Sequence, residues 1–536
     1  MDYSVFYLLV ARPPWCLQLT FLIALDIGTS SVKSILLRVE NAEIVGKFIQ
    51  PLRVIYPKTG WAEQDPYELF ERITVTINNL LNSTRVNPSE VIGVSMDAQM
   101  LGVVPVSRDG EALYNILTWL DVRSAGEPRE LFTGFPKVSG YNLLKLIKFL
   151  RITGGAPSRT GKDPLSKIIW LKKNMPEIYE KTWKFLNVNG FIAYKLTGNP
   201  VINADEAHLT WLADIRRGKL EWSNPILKDL GLNIEKLPVI KAPAEVAGNI
   251  RGDIAKELGL SENVKVVVGS GDVAATAIGS GAVEDYETHL YLGTSDWLAS
   301  HLPFRKLDIF HAIGTIVSAI PGKYLLIAEQ ECGCVALDYI INLLYGERDK
   351  KIYDEVDRNI GGVDPASNKV FFLPWMFGER VPIDDPYVRG VLYNVSLSDT
   401  RYQILEAIME GIALNIKWAQ VFFEKLLGRS IQRINIVGGG ALWNSLCQII
   451  ADATGAEVWR MNTLQEASAV GAAVIGVKAL NLGGFEYVKR IAKPLTVFKP
   501  RENLIGVFDK KLKLIIELYK ANKKHFRKLN KPSEEH

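Results

Sequence analysis

The chain has 536 residues, 48% hydrophobic and 23% charged, ordinary globular proportions that exclude a disordered or fibrous protein and predict two or three compact domains. Lys and Arg total 63 against 59 Asp and Glu, and the formal net charge of +4 is too small for a general nucleic-acid coat. Four cysteines (Cys16, Cys332, Cys334, Cys447) cannot build a disulfide framework, and Cys332-Gly333-Cys334 lacks the CxxC spacing of zinc and redox sites, so a reduced, cytoplasmic compartment is expected.

In chain order, residues 1–20 hold two apolar runs broken by Arg12-Pro13-Pro14, with Asp2 where a signal peptide carries its basic region. They read as an extension before the first strand, too short in each run to span a membrane. Phe21 to Leu37 then sets two apolar runs on either side of Gly28-Thr29-Ser30, a β-hairpin whose tip gathers amides and hydroxyls. Val91 to Met96 and Leu101 to Ser107 read as strands and Pro164 to Asn174 as a helix. Val264 to Val268 is a strand leading into Gly269-Ser270-Gly271-Asp272-Val273-Ala274. Thr288 to Ser300 repeats the first hairpin, its tip now Gly293-Thr294-Ser295. The repetition predicts an α/β protein of two similar halves facing one another across a cleft. Thr400 to Leu427 is a long buried helix carrying Glu406 and Glu410. Ile434 to Val437, Gly438-Gly439-Gly440 and Asn444 to Thr454 form a strand, a sharp turn and a helix, a ligand-binding layout. Asp509 to Pro532 holds nine Lys and Arg and reads as a docked terminal helix with a solvated basic face.

Several motifs bear on chemistry. Gly269 to Ala274 matches the G-x-G-x-x-A dinucleotide fingerprint, but Asp272 would set a carboxylate against a pyrophosphate on the same amides. Asp272 can instead cap a helix or, with Gly269 and Gly271 letting a substrate approach the backbone, accept a proton from a substrate hydroxyl. Asp26 suits a hard cation such as Mg²⁺, while Gly28, Thr29 and Ser30 offer amides and hydroxyls to phosphate and Lys33 offers charge. A Walker A loop is absent, since Gly155 to Lys162 is one residue too long and ends before Asp163. Asp384-Asp385 and the Glu329, Glu331 pair read as surface carboxylates. The six histidines show no zinc-binding or Ser-His spacing.

The ordered series of motifs resembles the FGGY family of carbohydrate kinases, its xylulokinase-like branch, over about residues 21–500. Leu25 to Lys33 looks like the first phosphate motif, and Gly60-Trp61-Ala62-Glu63-Gln64-Asp65-Pro66 like the segment after it. Trp119-Leu120-Asp121-Val122-Arg123 is similar to a Trp-x-Asp-x-Arg sugar motif, and Leu196-Thr197-Gly198 with Asp205, Thr210 and Asp214 to the stretch that follows. Gly271-Asp272, Leu292 to Ser295, Leu373-Pro374, Gly378-Glu379-Arg380, Arg389-Gly390, Gly438 to Ala441 and Gly471-Ala472-Ala473 continue the likeness.

The resemblance implies two actin-like (ribonuclease-H-like) domains with an interdomain cleft: a sugar-binding lobe over 21–268, a nucleotide-binding lobe over 269–505 and a basic C-terminal helix and tail over 506–536. It implies ATP and Mg²⁺ as cofactors and a small sugar as substrate, with no nucleic acid or membrane as partner. Asp272 would be the catalytic base and Asp26 would position Mg²⁺. Gly28, Thr29, Ser30, Lys33, Gly293, Thr294 and Ser295 would face phosphates, and Gly438, Gly439, Gly440, Ala441 and Asn444 the adenosine. Gln99, Met100, Trp119, Asp121 and Arg123 would join Asp272 around the sugar. Lobe closure is expected to matter more than any strongly shifted pKa. Leu101 stands where xylulokinases carry a histidine, and Val273 where an amide side chain follows the catalytic aspartate, which opens the sugar's identity. D-xylulose comes first, then another ketopentose, an aldonate or a polyol such as glycerol. The rivals are an actin-like ATPase that switches a partner, a nicotinamide-dependent oxidoreductase and an inactive kinase-like protein. Oligomeric state is open, a homodimer included.

Overall fold

The structure, a computed structural model, describes residues 19–347 and 349–531. Residues 1–18 of the expected extension and 532–536 of the expected tail lie outside the described residues.

The first sheet starts with Phe21–Ile27 (β1), Ser31–Arg38 (β2) and Glu43–Pro51 (β3), paired antiparallel in that order. Val91–Ala98 (β4) runs parallel to β1 on its other side. Val246–Asn249 (β5), Lys265–Val267 (β6) and Ser270–Gly271 (β7) complete seven strands in the order β5-β6-β4-β1-β2-β3, with β7 also pairing β4. Every residue of β1 is buried, as its unbroken apolar run requires of a strand covered on both faces. The second sheet comprises Thr288–Leu292 (β8), Asp296–Leu302 (β9), Leu307–Asp308 (β10), Ile313–Val317 (β11), Tyr324–Gln330 (β12), Arg433–Val437 (β13), Glu457–Met461 (β14) and Pro494–Phe498 (β15). Its order is β10-β11-β12-β9-β8-β13-β14-β15. In each sheet the hairpin is central, with an antiparallel strand beyond its second arm and parallel strands beyond its first. Thus β3-β2-β1-β4-β6 matches β12-β9-β8-β13-β14, the doubling that the repeated Gly-Thr-Ser tip predicts.

Eight helices matter here: Pro66–Thr84 (α1), Pro164–Asn174 (α2), Ala204–Leu209 (α3), Asp272–Gly279 (α4), Arg401–Leu427 (α5), Asn444–Thr454 (α6), Ala467–Ala479 (α7) and Glu502–Asn530 (α8). Local chemistry sets their ends. Asp65 caps α1 by accepting from the Tyr67 and Glu68 amides, and Thr400 and Gln403 form a reciprocal capping box at α5. Helix α7, almost wholly Ala, Gly and Val, packs on β1 and β4 and crosses α4 at contact distance. A Cβ at Gly471 would lie 1.8 Å from the Ala275 carbonyl oxygen, and one at Gly279 1.7 Å from that of Ala467, so only glycine permits the crossing. Around it, Leu22 and Ala24 of the first sheet, Val470 and Val474 of α7 and Ala299 and Leu325 of the second sheet share one apolar cluster.

Two expectations change. The strand expected over Leu101 to Ser107 shrinks to Val104–Val106, because Leu101 adopts φ +64° and turns the chain. The terminal helix begins at Glu502, ahead of the expected Asp509, and docks against α5 and α6. Its Lys511 Nζ bonds Glu410 Oε1 at 2.6 Å inside that interface, while Lys510, Lys513, Lys520 and Lys524 are exposed as expected. Among the described residues no helix is long and apolar enough to cross a membrane.

Candidate active site

Strand register builds the centre. Asp26 at the end of β1 is paired with Lys33 of β2 on one side and Asp97 of β4 on the other, and Asp97 is in turn paired with Ser270 of β7. Directly paired residues face the same side of a sheet, so Lys33, Asp26 and Asp97 form a row pointing toward α7. Lys33 Nζ donates to Asp26 Oδ2 at 2.9 Å. Burial pushes this ammonium down, but the Asp26 carboxylate more than offsets it and holds Lys33 above its usual range. Asp97 is fully buried; its Oδ1 accepts from Ser468 Oγ of α7 at 2.6 Å, and its Oδ2 has no partner. Burial, then the facing Asp26, pushes the Asp97 carboxyl up.

Asp272 is the first residue of α4 and does not cap it: Gly271 holds the cap position, and Asp272 Oδ1 accepts from the adjacent Val273 amide at 2.9 Å. Burial first, then the charge of Asp26, pushes its carboxyl up to about 7. Asp205 Oδ2 accepts from the Gly271 amide at 2.7 Å and fixes the backbone beside Asp272. Gly269 and Gly271, expected to admit a substrate, instead admit the protein itself. A Cβ would lie 1.9 Å from the Met96 carbonyl oxygen at Gly269 and 2.6 Å from Met100 Cε at Gly271.

The sugar-motif residues divide. Trp119 Nε1 donates to Thr29 Oγ1 at 2.9 Å, and Thr29 Oγ1 donates to Gln99 Oε1 at 3.1 Å, so the first hairpin tip and two expected sugar residues form one network. Gln64 closes it, donating to the Thr29 carbonyl at 2.8 Å and accepting from Gln99 Nε2. Thr29 is thereby held toward Gln99 and Trp119, while Ser30 is exposed. Asp121 and Arg123, expected to touch sugar, do not reach the cleft: both side chains are 0% exposed. Arg123 Nη2 binds Asp121 Oδ2 at 2.7 Å and Glu63 Oε1 at 2.6 Å, its guanidinium lies 3.7 Å from the Trp61 ring centre, and Asp121 Oδ2 accepts from the Ala62 amide. This is a brace under the loop that presents Trp119. The left-handed Leu101 peptide beside buried Met100 is clamped at both ends. Its N–H donates to Glu206 Oε2 at 3.1 Å and its carbonyl accepts from buried Lys167 Nζ at 2.7 Å. Burial pushes Lys167 down to about 7 and Glu206 up.

The second tip leaves Thr294 exposed, with Gly293 and Ser295 partly so. Gly333 and Cys334 back it, donating to the Thr294 and Gly293 carbonyls at 2.8 Å each. In the triple glycine, expected to open toward adenosine, only Gly439 faces open space. A Cβ at Gly438 would meet Leu292 O at 2.4 Å and one at Gly440 Cys334 Sγ at 2.4 Å, and Ala441 is fully buried. Asn444 is occupied, donating through Nδ2 to Asp357 at 3.0 Å and accepting from Arg460 at 2.8 Å. Glu329 and Glu331 are not free surface carboxylates. Both bind Arg380, Glu331 at 3.1 Å, and Lys162 of the first lobe approaches Glu331 to 3.8 Å and the Trp119 ring centre to 5.6 Å. Asp385 is likewise buried, accepting from Tyr519.

Among the described residues no group of three or more His, Cys, Asp and Glu is arranged to hold a metal ion. Sequence reasoning missed Asp97, Glu206, Lys167 and Ser468. For Asp97 a signal existed, since it and Ser95 are polar at a spacing of two in an otherwise apolar strand.

Comparison with known proteins agrees with this two-lobed layout. The N-terminal domain of the FGGY family of carbohydrate kinases matches residues 21–279 and its C-terminal domain residues 290–480. A xylulose kinase of Bacillus subtilis is 25% identical over 95% of this chain and 98% of its own. A glycerol kinase of Thermococcus onnurineus is 26% identical over 90% of this chain and 93% of its own. The crystal structure of a gluconate kinase from Lactobacillus acidophilus superposes with a TM-score of 0.84 at 23% identity, covering 96% of this chain and all of that one. With both domain models matched in order across the two sheets, the chain belongs to the FGGY family of carbohydrate kinases.

Proposed function

We propose that the chain transfers the γ-phosphoryl group of ATP to a hydroxyl of an uncharged sugar, D-xylulose first, giving D-xylulose 5-phosphate and ADP. The observation that carries the reading is Asp272, half-buried at the head of α4, with a carboxyl pushed to about 7 beside the first hairpin's Asp26. A base tuned near the working pH is best placed to accept a hydroxyl proton. As that proton passes to Asp272, the hydroxyl oxygen bonds the γ-phosphorus and the bond to the bridging oxygen of ADP breaks. The first lobe holds the sugar, with Trp119, Gln99 and Met100 beside it, and the second lobe the nucleotide. Ser30 and Thr294, exposed on the two tips, face the phosphates, and the open side of Gly439 faces the adenosine.

The oxygens gathered at the centre, carboxylates with one buried oxygen unpartnered, are the hard donors that Mg²⁺ takes, and Asp26 positions the ion. When bound, Mg²⁺ supplies charge neutralisation at the phosphate oxygens. Asp26, Lys33 and Asp272 otherwise act by fixing position and charge, which is most of what phosphoryl transfer asks of a protein. Asp26, Asp97, Asp272, Glu206 and Glu329 crowd the centre, and Lys33 and Arg380 are already paired with carboxylates. An ATP-consumption screen over ketoses, aldoses, polyols and aldonates tests the reading. Turnover strongest with D-xylulose is expected, and turnover restricted to gluconate or glycerol would replace it.

A further inference from the structure

Strand β4 carries one acidic group, Asp97, to which no residue-level role has been given. Ser95 and Asp97 face α7 together: Ser95 Oγ donates to the Ala472 carbonyl and Ser468 Oγ to Asp97 Oδ1, each at 2.6 Å. Ser95 shows that this strand can bond α7 without a charge. Asp97 adds a carboxylate that is 0% exposed, lies beside Asp26 in register and leaves Oδ2 with no donor. The groups around it are accounted for from every side. Lys33 of β2 is bonded to Asp26, the hydroxyl of Ser270 on β7 donates to the Gly271 carbonyl, α7 contributes the Ser468 hydroxyl to the other oxygen, and α4 contributes the further carboxylate of Asp272. A buried carboxylate oxygen with no donor is a costly vacancy for positive charge. A Ser468 hydroxyl that fixes Oδ1 also fixes the direction of Oδ2.

We propose that Asp97 Oδ2 and Asp26 together form a two-carboxylate seat for the divalent cation that accompanies the nucleotide, with Ser468 of α7 orienting Asp97. The inference rests on the kinase reading above and adds to it a ligand that the sequence motifs do not mark. Two carboxylates, with phosphate oxygens and water, match the coordination Mg²⁺ accepts. Because the orienting hydroxyl comes from the helix that crosses α4, the seat is fixed by the same contact that places Asp272.

The test is binding of Mn²⁺, a paramagnetic stand-in, to the full chain with ADP and no sugar, followed by loss of the free-ion electron paramagnetic resonance signal. ADP binding in EDTA and the melting temperature are measured alongside. Asp97→Asn keeps the size of the side chain and an acceptor for Ser468. It is expected to weaken Mn²⁺ binding about tenfold or more while ADP binding in EDTA persists. Asp97→Ser, which also removes the charge, is expected to do the same. Mn²⁺ affinity within twofold of wild type in both variants, with Asp26→Asn clearly weakened, overturns the seat and leaves the kinase reading standing. Failure of the wild-type chain to bind ADP with or without Mn²⁺ overturns both.

Discussion

Replacing Asp272 by Asn is the perturbation that bears most directly on the chemistry. The wild-type carboxyl is pushed to about 7 from an ordinary 3.8, by burial and then by Asp26. If its ionised form is the base, about one molecule in ten is active at pH 6 and about nine in ten at pH 8, a roughly tenfold difference set by that carboxyl alone. The assay is kcat/KM for the sugar from pH 5.5 to 9, with ATP and Mg²⁺ saturating. Wild type should show an acid limb centred near 7, while Asp272→Asn should fall by about 10²- to 10⁴-fold and lose that limb. Stability should move the other way. The folded carboxyl holds its proton more tightly than the unfolded one, so its contribution is complete below pH 3.8 and is lost as pH rises through about 7. Asp272→Asn should therefore melt above wild type at pH 8, with the gap narrowing toward pH 5. A flat wild-type profile between pH 6 and 8, with the variant within tenfold of it, would refute Asp272 as base.

Trp119→Phe removes the 2.9 Å bond to Thr29 that joins the sugar loop to the hairpin tip, and KM for both sugar and ATP should rise about fivefold, as loss of a bond worth about 1 kcal/mol predicts; a change in one KM alone would show that the two sites are not joined there. Gly471→Ala places a methyl 1.8 Å from the Ala275 carbonyl oxygen, and thermal unfolding should show a loss of about 1–3 kcal/mol or more as α4 and α7 are forced apart. Lys511→Met leaves Glu410, bonded at 2.6 Å, without its buried cation, and should destabilise by about 3–5 kcal/mol, with limited proteolysis releasing α8 first. An unchanged digestion pattern would show that the apolar face alone holds that helix.

Much of this molecule is legible in short stretches. The hairpins at Phe21 and Thr288, the helix Asn444–Thr454 closed by Gly455, and Asp272 at a helix start all follow from apolar period, turn residues and caps acting over a few positions. Two such hairpins sufficed to imply two facing sheets. Partnership is another matter. Asp121 and Arg123 look like pocket residues in a motif, yet Glu63 and Trp61 from a distant segment enclose them. Thr29 looks free to meet phosphate until Trp119 and Gln99 reach it, and Glu329 looks exposed until Arg380 arrives. Asp97 becomes part of the centre only because β4 pairs with β1 in the one register that sets it beside Asp26. A one-residue slip would turn it to the opposite face. Local pattern tells which atoms a segment can offer; strand register and the docking of the lobes decide which neighbours and how much water those atoms meet, and so their charge and their chemistry.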